Sequence, residues 1–347
     1  MTIPAYYAPE QAAHDPQSFM VLGQFRKAEE VPERAERLLT GGQAAGLDFL
    51  RPTDAGLGPA AAVHTPEYLR FLAEIHKRWS EIPGAGAEVI PNVHLDRSLG
   101  GYPTSPVGLA SWHQADTACP IGPGTWEAVR WGASTAVAAT DAVLEGAPAA
   151  YALCRPPGHH AYADQAGGFC FLNNTAIAAQ RLRQHHARVA VLDVDVHHGN
   201  GTQGIFYGRD DVLTVSVHSD PRDYYPFVVG YAHERGVGAG LGYNRNIPLP
   251  KATADHAYLE ALSDAIRQIQ AFQPGALVLA LGLDAYEGDP LKGMCLSTAG
   301  FEAIGAAVGE MALPMVVVQE GGYLCPELAG NLTSFLTGLL AALGERH

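Results

Sequence analysis

The stretch that most constrains this chain is residues 189–201, reading V-A-V-L-D-V-D-V-H-H-G-N-G. It begins as an apolar, β-branched run of strand length and then sets Asp193, Asp195 and His197 two residues apart. Side chains alternate between the faces of a strand, so these three share one face while Val194 and Val196 take the other. Two carboxylates and an imidazole at the end of a buried strand carry a heavy desolvation cost, and a bound cation is the simplest way to offset it. Gly199-Asn200-Gly201 then turns the chain away. Taken alone, the segment could also be a polar strand end facing water.

The neighbouring sequence repeats the pattern. From Thr125 onward, apolar runs at 149–153, 189–195, 212–217, 276–283 and 315–319 read as strands. They alternate with helical patterns at 126–144, 174–184, 255–272, 301–311 and 327–343. Buried strands alternating with helices predict an α/β fold with a parallel sheet covered on both faces. The 347 residues show no repeat and no low-complexity tract, so one domain is expected over 1–347. Upstream, the first 60 residues read as a peripheral layer. A helix is expected over 29–39, and another follows the Thr65 cap and Pro66. Residues 83–123 are rich in Gly and Pro with little periodicity. Tyr102, Trp112, Leu95 and Ile121 argue that this stretch is an ordered functional loop, a rim around a site or a subunit contact, rather than a linker.

Bulk properties narrow the function. A net charge of −14 argues against a nucleic-acid partner and suits a cationic ligand. The five cysteines are scattered and form no C-x-x-C pair, which excludes a thiolate metal site and suits a reducing cytoplasm. No run of about 18 apolar residues is present, so no membrane span is expected.

The unusual polar residues fall just after the apolar strands: Gly158-His159-His160, Asp193-x-Asp195-x-His197, His218, Asp284, and Gly321-Gly322-Tyr323. Ligands bind at the carboxyl ends of open parallel sheets, so these residues predict one site. Asp195, His197 and Asp284 offer three ligands and leave positions open, as a catalytic metal requires. The donor set admits Zn²⁺, Fe²⁺, Mn²⁺ or Co²⁺. His159 and His160 suit general acid–base work, and Tyr323 could donate to a developing oxyanion. Asp193 and Asn200 are candidates to orient the two histidines, a carboxylate favouring the imidazolium where an amide does not. Gly168 lets a ligand pass close to the backbone, and Phe169 and Tyr225 could wall it. His198 reads as structural, and His185-His186 as a solvated helix end.

These residues sit in recognisable motifs. R-P-P-G-H-H-A (155–161), G-G-F-C-F-L-N-N (167–174), D-V-D-V-H-H-G-N-G-T (193–202), V-S-V-H (215–218), L-G-L-D (281–284) and E-G-G-Y (320–323) resemble the histone deacetylase superfamily, as does V-H-T-P-E-Y-L (63–69). The resemblance runs over roughly 21–340. P-G-T-W-E-A (123–128), I-F-Y (205–207), G-Y-A-H-E (230–234) and the 83–123 insertion make the chain most similar to bacterial acetylpolyamine amidohydrolases. The resemblance implies an arginase-like α/β fold with a parallel sheet of about eight strands. It implies Zn²⁺ on Asp195, His197 and Asp284, with His159 paired to Asp193 and His160 to Asn200. It implies that Tyr323 polarises the scissile carbonyl and that the Gly168 carbonyl accepts the substrate amide N–H. Phe169 and Tyr225 would wall a narrow tunnel. Structural K⁺ is implied at Asp193, Asp195, His197, Ser216 and Val217, and again near Phe206, Arg209, Val212 and Tyr243. The insertion would build a homodimer contact at the tunnel mouth. Tyr225 departs from the phenylalanine common in the family, and Asp116 is the acidic residue expected to meet a distal ammonium, with no second one among Ser105, Pro106 and Val107.

The expected activity is metal-assisted removal of acetyl groups from small cationic acetylated amines. Two rivals are deacetylation of acetyl-lysine in proteins and non-catalytic binding of acylated amines.

Overall fold

The computed structural model describes residues 2–94 and 96–344; Leu95, named above with Tyr102, Trp112 and Ile121 in the long loop, lies outside them. Ten strands are present among the described residues: β1 (Ala5–Tyr6), β2 (Ser18–Val21), β3 (Gln24–Lys27), β4 (Phe49–Leu50), β5 (Ala149–Ala152), β6 (Val189–Asp193), β7 (Val212–Ser219), β8 (Asn244–Leu249), β9 (Ala276–Leu281) and β10 (Met315–Gln319). Eight of them form one sheet in the order β4-β1-β5-β10-β9-β6-β7-β8. Every pairing within it is parallel. β2 and β3 form a separate antiparallel hairpin.

Why the sheet forms is visible in its centre. In β9 every residue is buried, and successive side chains enter opposite cores. Leu277, Leu279 and Leu281 join one apolar cluster with Ala190, Leu192 and Val317. Ala276 and Val278 join the other with Val189, Val191 and Val316. Each such buried aliphatic side chain contributes about 1.5–3 kcal/mol of transfer free energy. Helices cover both faces. Thr125–Leu144 and Asn174–Leu182 pack on the second cluster; Asp255–Phe272, Thr298–Gly309 and Leu328–Gly344 pack on the first. The last two lie against each other closely, because Gly305 and Gly338 bring no side chain to a contact where a Cβ would strike facing backbone.

Several expectations need correction. The first 60 residues are more than a peripheral layer: β1 and β4 complete one edge of the central sheet. The helix expected over 29–39 runs Glu33–Ala44, continuing through Gly41-Gly42 because Gly41 packs against the backbone of Ala329. The long loop contains a helix, Pro106–His113, whose Ser105 cap accepts from the Gly108 N–H. β6 ends at Asp193 rather than 195, since the Asp195 N–H turns to the Asp193 side chain at 3.1 Å. Among the described residues no helix is long and apolar enough to cross a membrane, and the five cysteines are unpaired.

Candidate active site

The sheet order explains how the site is assembled. β5, β10, β9 and β6 are consecutive neighbours, and their carboxyl ends deliver His159-His160, Tyr323, Asp284 and Asp195-His197 to one place. Alternation past the end of β6 keeps Val194 and Val196 in the core while Asp195 and His197 face the site.

Asp195, His197 and Asp284 bring ligand atoms within 4.8 Å of one another. The His197 Nδ1 lies 3.1 Å from Asp195 Oδ1 and 3.1 Å from Asp284 Oδ2. Both carboxylates are wholly buried. Burial, and then the Asp195 charge, push Asp284 up, while His159 and the His197 hydrogen bond outweigh burial and hold Asp195 well down. Burial disfavours the charged His197, but its bonds to the two carboxylates raise it to about 9. A divalent cation held by these three side chains would offset the charge of the two buried carboxylates. Space supports that fit. A Cβ on Gly321 would fall 2.5 Å from Asp195 Oδ2 and 2.8 Å from Asp284 Cγ, so only glycine leaves the cradle open. The Gly321 N–H also donates to Asp195 Oδ2 at 2.8 Å, fixing the oxygen not turned to His197.

The two histidines are held in the expected pairs. His159 Nδ1 is 2.9 Å from Asp193 Oδ2, and His160 Nδ1 is 2.6 Å from Asn200 Oδ1. The Asn200 amide donates to the Tyr162 hydroxyl, which leaves its oxygen as the acceptor and assigns the proton to His160 Nδ1. Burial lowers both imidazoles. At His159 the carboxylates of Asp193 and Asp195 reverse this and raise it to about 10, whereas His160, beside the positive His159 and His197, stays well below the usual range. The rings are 4.0 Å apart. Burial keeps the Tyr323 phenol protonated far above its ordinary range.

Above this floor opens a cavity of about 510 Å³ whose walls include Phe169, Tyr225, Asp116, Phe19 and Leu22. Phe169 stands edge-on to Tyr323 at 5.7 Å, and Tyr225 edge-on to His160 at 4.9 Å. Gly168 has a positive φ of 50°, and a Cβ there would lie 2.5 Å from the His160 ring.

Other expected residues fall as follows. Asp193 and Ser216 are register partners on β6 and β7, with Val217 next in line. Phe206 and Val212 share an apolar cluster, Arg209 caps the turn between them, and the Tyr243 carbonyl accepts from Thr214. His218 is not brought into the site: it bonds Ser216 and the Gly230 carbonyl, and its ring lies tilted against His198 at 4.6 Å. The strand carrying it lies beyond β6, one place too far along the sheet. His198 is buried on Gln203, as a structural residue would be, and His185 is exposed past a helix end.

Sequence reasoning missed the supports. Glu320 accepts from the N–H groups of Gly158 (2.6 Å) and His159 (3.0 Å) and from the Thr175 hydroxyl (2.6 Å), so it sets the histidine segment. Asp289 accepts the Tyr323 N–H at 2.9 Å. Arg34 donates to the carbonyls of Gly322 (2.6 Å) and Glu320 (2.8 Å), and its guanidinium covers the Tyr323 ring at 4.7 Å. Glu30 ties Arg34 (2.6 Å) to Arg155 (2.9 Å), all three buried. Glu320 opens the E-G-G-Y motif, but nothing local in the sequence marks its partners. The β2–β3 hairpin at the cavity mouth gave no signal beyond Gly23.

Comparison with known proteins shows the family. The chain matches the histone deacetylase domain model over residues 28–339. It is 49% identical to an acetylpolyamine amidohydrolase of Burkholderia pseudomallei (strain 1710b), over 98% of this chain and 99% of that protein. It is 41% identical to acetylpolyamine amidohydrolase 1 of Pseudomonas aeruginosa, over 96% and 97%. A crystal structure of acetylpolyamine aminohydrolase from Burkholderia pseudomallei superposes with a TM-score of 0.95 at 48% identity, covering 98% of this chain and 99% of that one. With its parallel sheet, its strand-end cluster and these relatives, the chain belongs to the histone deacetylase family.

Proposed function

We propose that the protein is a metal-dependent amidohydrolase that removes the acetyl group from N-acetylated polyamines or diamines, giving acetate and the free amine. The observation that carries this reading is the convergence of Asp195, His197 and Asp284 at the floor of a walled cavity, beside His159, His160 and Tyr323. The near full-length likeness to acetylpolyamine amidohydrolases supports the substrate class.

Asp195, His197 and Asp284 would hold the divalent ion, Zn²⁺ being our assignment over Fe²⁺, Mn²⁺ or Co²⁺ for this donor set. When bound, the ion supplies Lewis acidity, polarising the acetyl carbonyl and making water nucleophilic at neutral pH. The protein does the rest. The Gly168 carbonyl accepts the substrate amide N–H, and Phe169 and Tyr225 hold the methylene stem. His160, neutral and with its Nδ1 proton on Asn200, takes the proton of the attacking water at Nε2 and returns it to the leaving nitrogen. His159, kept positive by Asp193, stabilises the developing charge. Tyr323 donates its hydroxyl hydrogen to the oxyanion.

K⁺ at Asp193, Asp195, His197, Ser216 and Val217, and a second K⁺ near Phe206, Arg209, Val212 and Tyr243, belong to the same proposal. So do a homodimer built through residues 83–123 and a cytoplasmic location. The test of function is a turnover panel. We expect N-acetylated diamines and polyamines to be hydrolysed with kcat/KM at least about tenfold above acetyl-lysine peptides. The reverse ranking would assign the enzyme to protein substrates, and stoichiometric binding without acetate release would make it a binding protein.

A further inference from the structure

Asp116 was expected to meet the distal ammonium of the substrate, but its carboxylate is already engaged. Its Oδ2 accepts from the Tyr225 hydroxyl at 2.6 Å and from the Gly168 N–H at 3.0 Å, and its Oδ1 accepts from the Ala118 N–H at 2.8 Å. An ionised carboxylate offers about four acceptor sites, so three are filled, and both on Oδ2 are gone. The bond from Tyr225 has the length of a charge-assisted hydroxyl–carboxylate bond, the strong kind.

The surroundings fit this pairing. A Cβ on Gly167 would come 3.3 Å from Asp116 Oδ2, and one on Gly168 would come 2.7 Å from the Tyr225 hydroxyl. The Asp116–Tyr225 pair therefore lies directly over bare backbone. Asp116 is the one carboxylate among the described residues lining the cavity, and Phe19, Met20, Phe227, Val228 and Leu291, which line it as well, are apolar.

We infer that Tyr225 acts as a specificity-determining residue by occupying Asp116, so that this cavity selects an acetylated amine by its apolar stem more than by a cationic head. An arriving ammonium must displace the Tyr225 hydroxyl or settle for the single free site on Oδ1. What remains of the Asp116 charge reaches the ammonium only at longer range, where it falls with distance and is weakened by solvent. Neutral N-alkylacetamides of matching length are then substrates of comparable quality. With phenylalanine at 225, Oδ2 is released and the charged substrate is favoured.

The inference rests on the reading of the site as an acetylamine hydrolase. The test compares kcat/KM for N-acetylcadaverine and for N-hexylacetamide, which replaces the ammonium by a methyl group. Both are measured on zinc-loaded wild type, Tyr225→Phe, Asp116→Asn and the double variant. The ratio within each variant cancels any change in the fraction of active enzyme. In the wild type the two constants should lie within about tenfold of each other. Tyr225→Phe should raise the charged-to-neutral ratio about tenfold or more, the scale of a hydrogen bond to a charged group. Asp116→Asn should remove that gain in the double variant while moving the ratio less in the wild-type background. A wild-type ratio above about 100 that collapses in Asp116→Asn overturns the inference and leaves the function standing. Hydrolysis of neither amide by the wild type overturns the function and the inference together.

Discussion

At the floor of the cavity, Asp195 and Asp284 are wholly buried and His159 nearly so, and each has a charged or hydrogen-bonding partner. At the mouth, Leu22 on the β2–β3 turn is 86% exposed and Val228 is 85% exposed. The two regions line one cavity but obey different constraints. On the floor, moving one group leaves another desolvated and unpaired, so geometry is over-determined. At the mouth, Leu22 and Val228 stand in water. Chemistry is therefore fixed by strand ends and supports beneath them, while the choice of substrate is left to loops.

Glu30→Ala, which strips the charge joining Arg34 and Arg155, should break this contrast most severely. Removing one member of a buried ionic cluster costs about 3–5 kcal/mol, to be read from urea unfolding. Tyr323→Phe should keep the fold but lower kcat by about 10²–10³ if its hydroxyl serves the oxyanion; near-normal turnover would remove that role. Acid should sharpen the difference next. Burial lowers His14 and His64 to about 4 in the fold. An unfolded histidine takes up a proton near pH 6.5, so stability is complete above that value and is lost as pH falls toward 4. Each should contribute about 1–2 kcal/mol of destabilisation between pH 7 and 5, and His14→Gln should flatten the dependence of Tm on pH. Leu22→Ser at the mouth should change stability by less than about 0.5 kcal/mol, with any effect confined to KM.

The same contrast governs how much could be read in advance. The strands that lead into His159, Asp195, Asp284 and Tyr323 are buried apolar runs, so their type and the convergence of their ends followed from pattern. β1 and β4 have two residues each, too short for any period. β8, N-R-N-I-P-L, is an edge strand whose polar residues and Pro248 hide its pairing. Asp289 and Glu320 act through contacts distant in sequence, such as Glu320 with Gly158 and Thr175. Tyr225 was expected in the wall and Asp116 at the mouth, but nothing along the chain places a hydroxyl at 225 against a carboxylate at 116.

The sheet order carries a consequence for biogenesis. β10 is the last of its strands in sequence, yet it lies inside the sheet, between β5 and β9. Until residues 315–319 leave the ribosome, two interior edges stay open, and a stalled nascent chain would expose them to a chaperone or to another copy. The segment that closes this gap is followed directly by E-G-G-Y. Mechanical closure of the protein and delivery of the tyrosine thus arrive together, and no shortened translation product ending before it should hydrolyse anything.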